Sequence, residues 1–249
     1  MALQLSHLPS PRVPRNLRSM RHHSPDTTRS RSHTASPPFA SVSASSSSSS
    51  SSPSVILWDV LDTLVYDPFY QHMPAFFDMT FDELMARKHP TAWLDFERGV
   101  LDENQFAESF FKDGQTVDMQ ALKAHMNEQY KWIEGMDQLV GDVSASGNVQ
   151  QHLLSNYPTW YEMIESKLAL EKTHGLQWTF VSTRTGFRKP EAGAYEYALD
   201  ALGCDASQVI FVDDRKANVE AAEQLGMRGV HFEDATSARA AIKSHGVDV

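Results

Sequence analysis

Val55-Ile56-Leu57-Trp58-Asp59-Val60-Leu61-Asp62-Thr63-Leu64 is the stretch on which the fold turns. Val55–Trp58 is a short apolar run rich in strand formers, and it ends in a carboxylate, Asp59. Such a run suits a strand buried on both faces of a parallel sheet, which places Asp59 at the strand's C-terminal end. A carboxylate there can be a nucleophile or a metal ligand. Taken alone, it is better explained as a turn or helix-capping aspartate.

Downstream, residues 66–145 read as almost entirely helical. Thr80 with Glu83 and Asp102 with Gln105 have capping-box spacing. Phe106 and Phe110 share one helix face, and that helix stops near Gly114. Met119, Leu122, Met126, Tyr130 and Ile133 form an amphipathic stripe from about Asp118. At about Gly147 the pattern changes to alternation. A strand ends at Ser155, a helix starts at Pro158, and a strand covers Trp178–Ser182. A helix with Tyr195, Leu199 and Leu202 closes on Gly203, and the strand Val209–Val212 ends in Asp213-Asp214. A helix from Lys216 closes on Gly226, then come the strand Gly229–Phe232 and a last helix. Alternation of this kind predicts an α/β fold, a Rossmann-like parallel sheet with helices on both faces. Right-handed crossovers then bring Asp59, Ser155 and Asp213-Asp214 to one carboxyl edge, where such sheets bind ligands.

Upstream, residues 1–53 are a different population. They hold six arginines, no lysine and a single acid, Asp26, and they include an unbroken serine run from Ser45 to Ser52. Arg-rich, Ser-rich and acid-poor composition is that of an organelle transit peptide, expected to be disordered and cleaved. A flexible tail carrying no address is the alternative. Of 22 basic and 32 acidic residues, the rest of the chain keeps 16 and 31. A surface that acidic argues against a nucleic-acid partner, and a phosphate substrate would need a metal or local cations. No apolar run reaches the length of a membrane span, and no protein partner can be inferred. The single cysteine, Cys204, reads as a bystander thiol.

Ser155-Asn156 can hold phosphate oxygens or cap the next helix, and Lys189-Pro190 alone says nothing. Asp213-Asp214 is stronger, because adjacent acids after an apolar strand repel each other unless a cation sits between them. The order of all four motifs resembles the haloacid-dehalogenase superfamily over about residues 54–235. That family has an aspartate motif, a Ser/Thr, a lysine and an acidic pair in this sequence. The resemblance implies a core of residues 54–65 and 146–249 with an inserted α-helical cap, residues 66–145. Asp67-Pro68-Phe69-Tyr70, Lys88-His89-Pro90, Asn156-Tyr157-Pro158-Thr159-Trp160-Tyr161 and Arg188-Lys189-Pro190 further resemble the plastid flavin mononucleotide hydrolases of plants and algae. That narrower likeness implies a small phosphate ester as substrate and the chloroplast stroma as location.

Carried over by position, the resemblance implies that Asp59 attacks phosphorus and forms an aspartyl-phosphate. It implies Mg²⁺ held by Asp59, the Leu61 carbonyl and Asp214, with Asp213 supporting the metal's waters or Lys189. Thr63 would fix the loop, Ser155 and Asn156 would hold the phosphoryl group, and Lys189 would neutralise charge. Leu61 departs from the family, which usually has there an aspartate that protonates the leaving oxygen. Water, Asp62 or another carboxylate could take over, and the sequence does not choose among them. Phe69, Tyr70 and Trp93 are candidates to stack on a flat ring, although most aromatics of the cap segment should pack within it. Two rival expectations remain: a metal-independent dehalogenase, which Leu61 allows and Asp213-Asp214 opposes, and a catalytically weakened binding protein.

Overall fold

The computed structural model describes residues 52–249. The transit-like segment, apart from its last two residues, lies outside the described residues. Five strands are present: β1 (Val55–Trp58), β2 (Gln150–Ser155), β3 (Gln177–Val181), β4 (Val209–Asp213) and β5 (Arg228–His231). They form one parallel sheet in the order β3-β2-β1-β4-β5. Six helices lie between β1 and β2: α1 (His72–Phe76), α2 (Phe81–Arg87), α3 (Ala92–Glu97), α4 (Glu103–Ser109), α5 (Met119–Gln129) and α6 (Met136–Ser146). The remainder alternates with the strands: α7 (Tyr161–Leu168), α8 (Leu170–His174), α9 (Ser182–Thr185), α10 (Ala192–Leu202), α11 (Lys216–Gln224) and α12 (Ala235–Ser244).

The apolar run identified in the sequence is the central strand. Ile56, Leu57 and Trp58 are wholly buried, each worth about 2 kcal/mol of transfer free energy. Alternate residues serve alternate faces. Val55, Leu57, Val209 and Phe211 pack on Ala194, Tyr195 and Ala198 of α10 and on Ala222 of α11. Ile56, Trp58, Ile210 and Val212 face the other way, into a core with Leu139 and Val143 of α6 and Ile242 of α12. That second core runs on without a break into the helices between β1 and β2, taking in Leu84, Phe96, Phe106, Leu122 and Met126. Phe96 and Phe106 stack with ring centroids 4.4 Å apart.

Local boundaries follow recognisable chemistry. Both expected capping boxes are formed, Thr80 with Glu83 at α2 and Asp102 with Gln105 at α4. Asp118 caps α5 by accepting from the Ala121 N–H. Several boundaries differ from the sequence expectation: α4 ends at Ser109 rather than near Gly114, α5 ends at Gln129 and leaves Tyr130 and Ile133 beyond it, and β5 is Arg228–His231 rather than Gly229–Phe232. Pro158 opens a turn rather than a helix, with Tyr161 N–H donating to Pro158 O, and α7 begins at Tyr161. Ser182 starts the short helix α9 instead of ending β3, and its hydroxyl donates to Glu97 O at 2.6 Å. The polar start of β2 is satisfied in place. Gln151 accepts from Trp58 Nε1 at 3.0 Å, and His152 Nδ1 pairs with Thr179 Oγ1 at 2.9 Å.

Candidate active site

Strand register builds the site. Trp58 pairs with Val212, and the Asp59 N–H donates to Val212 O at 2.9 Å. Asp59 and Asp213 therefore emerge side by side at the carboxyl edge, with Ser155 ending the strand on the other side of β1. Lys189, just before α10, reaches in beneath them. Its Nζ lies 2.6 Å from Asp59 Oδ1 and 2.7 Å from Asp213 Oδ2, and all three side chains are buried. Asn218 on α11 donates to both oxygens of Asp213 at 2.9 and 3.0 Å, and the Arg215 N–H donates to Asp213 Oδ1. Asp213 is thus fully engaged by protein donors.

Thr63 ties the loop together. Its hydroxyl donates to Asp59 Oδ2 at 3.3 Å and accepts from the Asp214 N–H at 3.1 Å. Asn156 holds Lys189 by its main chain, donating from Nδ2 to Lys189 O and accepting at Oδ1 from Lys189 N–H, both at 2.8 Å. Its side chain positions the lysine rather than standing free for a phosphate. Ser155 is buried and lines the same cavity as Asp59 and Lys189.

Electrostatics single out a place for a cation. Carboxylate oxygens of Asp59, Asp213 and Asp214 lie within 4.8 Å of one another. The Asp59 carboxyl is raised to about 7: burial is the main cause, Lys189 opposes it, and Asp213 and Asp214 add to it. Burial and then Asp213 also raise Asp214. Burial depresses the Lys189 ammonium, but Asp213 and Asp59 outweigh it and leave its pKa above the ordinary lysine value. Asp214 Oδ1 is buried without a hydrogen-bond partner, which is costly unless something else satisfies it. Every backbone hydrogen bond of the 60–65 loop bypasses the Leu61 carbonyl. A hard divalent cation takes oxygen ligands of this kind and returns carboxylates to their ionised form. The donor set therefore fits Mg²⁺.

The cavity above these groups measures about 210 Å³. Its wall brings together the core residues Asp59, Leu61, Ser155, Asn156 and Lys189 with Phe69, Tyr70 and Trp93 from the helical insert. Phe69 and Trp93 are in ring contact, with centroids 5.5 Å apart. Tyr70 is partly exposed, and its hydroxyl accepts from Arg215 Nη2 at 3.0 Å. Several lining residues escape sequence reasoning. Glu97, buried on α3, accepts from Trp93 Nε1 at 2.6 Å and from Arg188 Nε at 2.7 Å. Asp67 lines the wall as well, and burial pushes its carboxyl up to about 7. Arg188 and Arg215 each adjoin a motif residue, which is the one signal that could have pointed to them. Glu97 has no such signal, because its role depends on how α3 docks.

Three comparisons bear on this geometry. Residues 56–232 match the family model of the haloacid dehalogenase-like hydrolases. Over 195 residues the chain is 41% identical to flavin mononucleotide hydrolase 1 of Arabidopsis thaliana, named as chloroplastic, covering 78% of each protein. Over 101 residues it is 32% identical to a sesquiterpene phosphatase of Aspergillus oryzae, covering 40% of this chain and 50% of that one. The fold is also that of a HAD-family enzyme of Bacteroides thetaiotaomicron solved with magnesium and inorganic phosphate. The TM-score is 0.61 at 17% identity, covering 73% of this chain and 95% of that one.

Proposed function

This chain belongs to the haloacid dehalogenase-like hydrolases, and we propose that it is a Mg²⁺-dependent phosphoric monoester hydrolase acting on flavin mononucleotide. The observation that carries the phosphatase reading is the meeting of Asp59, Asp213 and Asp214 around Lys189 at one sheet edge. Asp59 attacks phosphorus, and the ester oxygen leaves. Lys189 holds Asp59 in position and neutralises charge on the phosphoryl oxygens. Ser155, with the backbone beside it, orients the phosphoryl group. Asp59, the Leu61 carbonyl and Asp214 are the groups that would hold Mg²⁺, which when bound offsets the negative charge of the phosphoryl group.

Flavin mononucleotide as the substrate rests on the Arabidopsis relative and on the aromatic wall. Phe69, Tyr70 and Trp93 offer ring faces and edges to a flat heterocycle. The insert of residues 66–145 serves as the cap that supplies this wall; its last helix, α6, packs on α8 and α12 and rides with the sheet. The chloroplast as location rests on the same relative and on the composition of residues 1–53. No described helix is long and apolar enough to cross a membrane.

Phosphate release by the full chain from a panel of metabolite monoesters tests this reading. Flavin mononucleotide is expected to be hydrolysed fastest, with loss of turnover in chelator and at least about a thousandfold loss in Asp59→Asn. Turnover that survives chelation or Asp59→Asn contradicts the mechanism. A faster ester in the panel replaces the substrate, and halide release from 2-haloacids replaces the reaction class.

A further inference from the structure

Leu61 leaves the proposed reaction without a proton donor beside the nucleophile. A primary alkoxide is a poor leaving group, so an unaided site would lose much of the acceleration that a general acid supplies. The loop that follows Leu61 returns a different carboxylate to the same cavity. Asp67 lines the wall together with Asp59, Leu61, Ser155 and Lys189. It is a mostly buried residue, held by its main chain on one side and by one carboxylate oxygen on the other. Its N–H donates to Asp62 Oδ1 at 3.0 Å, and its Oδ1 accepts from the Phe69 N–H at 2.9 Å. Oδ2 takes no hydrogen bond from any described residue, so one oxygen is held and the other is left for the cavity.

We propose that Asp67 is the proton donor to the leaving oxygen, and then the acceptor for the proton of the attacking water, in place of the acid that Leu61 cannot provide. The inference rests on the phosphatase reading above. In the first step a carboxylate oxygen of Asp59 forms a bond to phosphorus, the phosphorus–ester oxygen bond breaks, and the Asp67 proton passes to that oxygen to release the alcohol. In the second step water attacks the phosphorus of the aspartyl-phosphate and gives its proton to the Asp67 carboxylate. The bond to Asp59 breaks, inorganic phosphate departs, and both aspartates return to their starting forms. One ester and one water become one alcohol and one phosphate.

The surroundings suit a group that must begin protonated. Asp62 and Tyr66 lie on its own loop, Glu97 on α3, Tyr130 after α5, Tyr157 after β2 and Arg215 after β4. Burial is the main cause that keeps the Asp67 carboxyl protonated towards neutral pH; Asp62 and Glu97 add to it, and the Phe69 N–H and Arg215 oppose it. The geometry and the chemistry thus agree. A purely structural Asp67, serving only to fix the Phe69 N–H, would need one oxygen and no proton.

Asp67→Asn keeps an oxygen for the Phe69 N–H and removes the acid. The panel's fastest primary alkyl phosphate is expected to lose about 10²–10⁴-fold in turnover. p-Nitrophenyl phosphate, whose leaving group needs no proton, is expected to give a burst of one nitrophenolate per enzyme and then slow turnover. Adding Leu61→Asp to Asp67→Asn should recover at least about tenfold on the alkyl ester. Wild-type turnover of the alkyl ester by Asp67→Asn, or an equal loss on both substrates without a burst, overturns the assignment while leaving the phosphatase reading intact. If no ester releases phosphate even with the wild-type enzyme, both fall. The wild-type enzyme gives a check that needs no variant. Its kcat/KM for the alkyl ester should decline as rising pH deprotonates Asp67, and the decline should be absent for p-nitrophenyl phosphate. Superimposable descending limbs overturn the assignment.

Discussion

Lys189 shows how a single residue is made useful by its neighbours. Its ammonium bridges two buried carboxylates, and its main chain is gripped at both polar groups by the Asn156 amide. Asn156→Ala would strand that N–H and C=O in a partly buried place, at a cost of about 1–3 kcal/mol. Displacement of Nζ should then lower kcat and weaken inhibition by inorganic phosphate together, because the ammonium faces the phosphoryl oxygens. Steady-state kinetics with phosphate as inhibitor decide the matter: a weakened inhibition constant with kcat preserved would make Asn156 a direct phosphate ligand. Much of this residue-scale site was legible. Asp59, Thr63, Ser155, Lys189 and Asp213-Asp214 stand at strand ends or next to a helix in a fixed order, and each adjoins an apolar or Pro-marked stretch. Asp67, Glu97 and Arg188 were not legible as partners of the site. Glu97 has no local feature that distinguishes it from a solvated charge, Asp67 and Arg188 had only their place in the family-like stretches, and the docking of the insert brings all three to one cavity.

Among the elements, α3 helps to bind the helical insert to the sheet edge. Glu97 pairs with Arg188 at 2.6 Å, Arg98 pairs with Glu191, and the Ser182 hydroxyl meets Glu97 O. The chain then turns at Gly99 with φ +69, and a Cβ there would lie 2.5 Å from Thr183 O on α9. Gly99→Ala therefore meets both an unfavourable backbone conformation and a backbone clash. Thermal unfolding should report a loss of about 1–3 kcal/mol, together with a raised KM, because Trp93 and Glu97 sit on the displaced helix. Unchanged stability would mean that α3 does not press on α9 in solution. The capping boxes at α2 and α4 and the apolar strands β1 and β4 could be read from sequence because their causes are local. The polar strand β2 could not be bounded as securely. Gln151 and His152 are satisfied by Trp58 and Thr179 on neighbouring strands, which only the sheet order supplies.

At the scale of the molecule, the chain carries a net charge of −10, and three of its acids gather around one lysine at the reactive edge. An anionic ester would meet a repulsive field there unless the acids were compensated. Lys189 inside and Arg188 and Arg215 at the wall supply part of that compensation, and the cation implied by the unpartnered Asp214 oxygen supplies the rest. In the proposed mechanism Asp59, the carboxylate at the end of the central strand, is the group that receives the phosphoryl unit. Quenching the enzyme during turnover, reducing it with borohydride and sequencing the peptide around residue 59 by mass spectrometry tests this directly. An acyl phosphate is reduced to an alcohol, so homoserine is expected at position 59 in the wild-type enzyme and not in substrate-free controls. Unmodified Asp59 throughout turnover, with the label on another side chain or on none, would contradict the account.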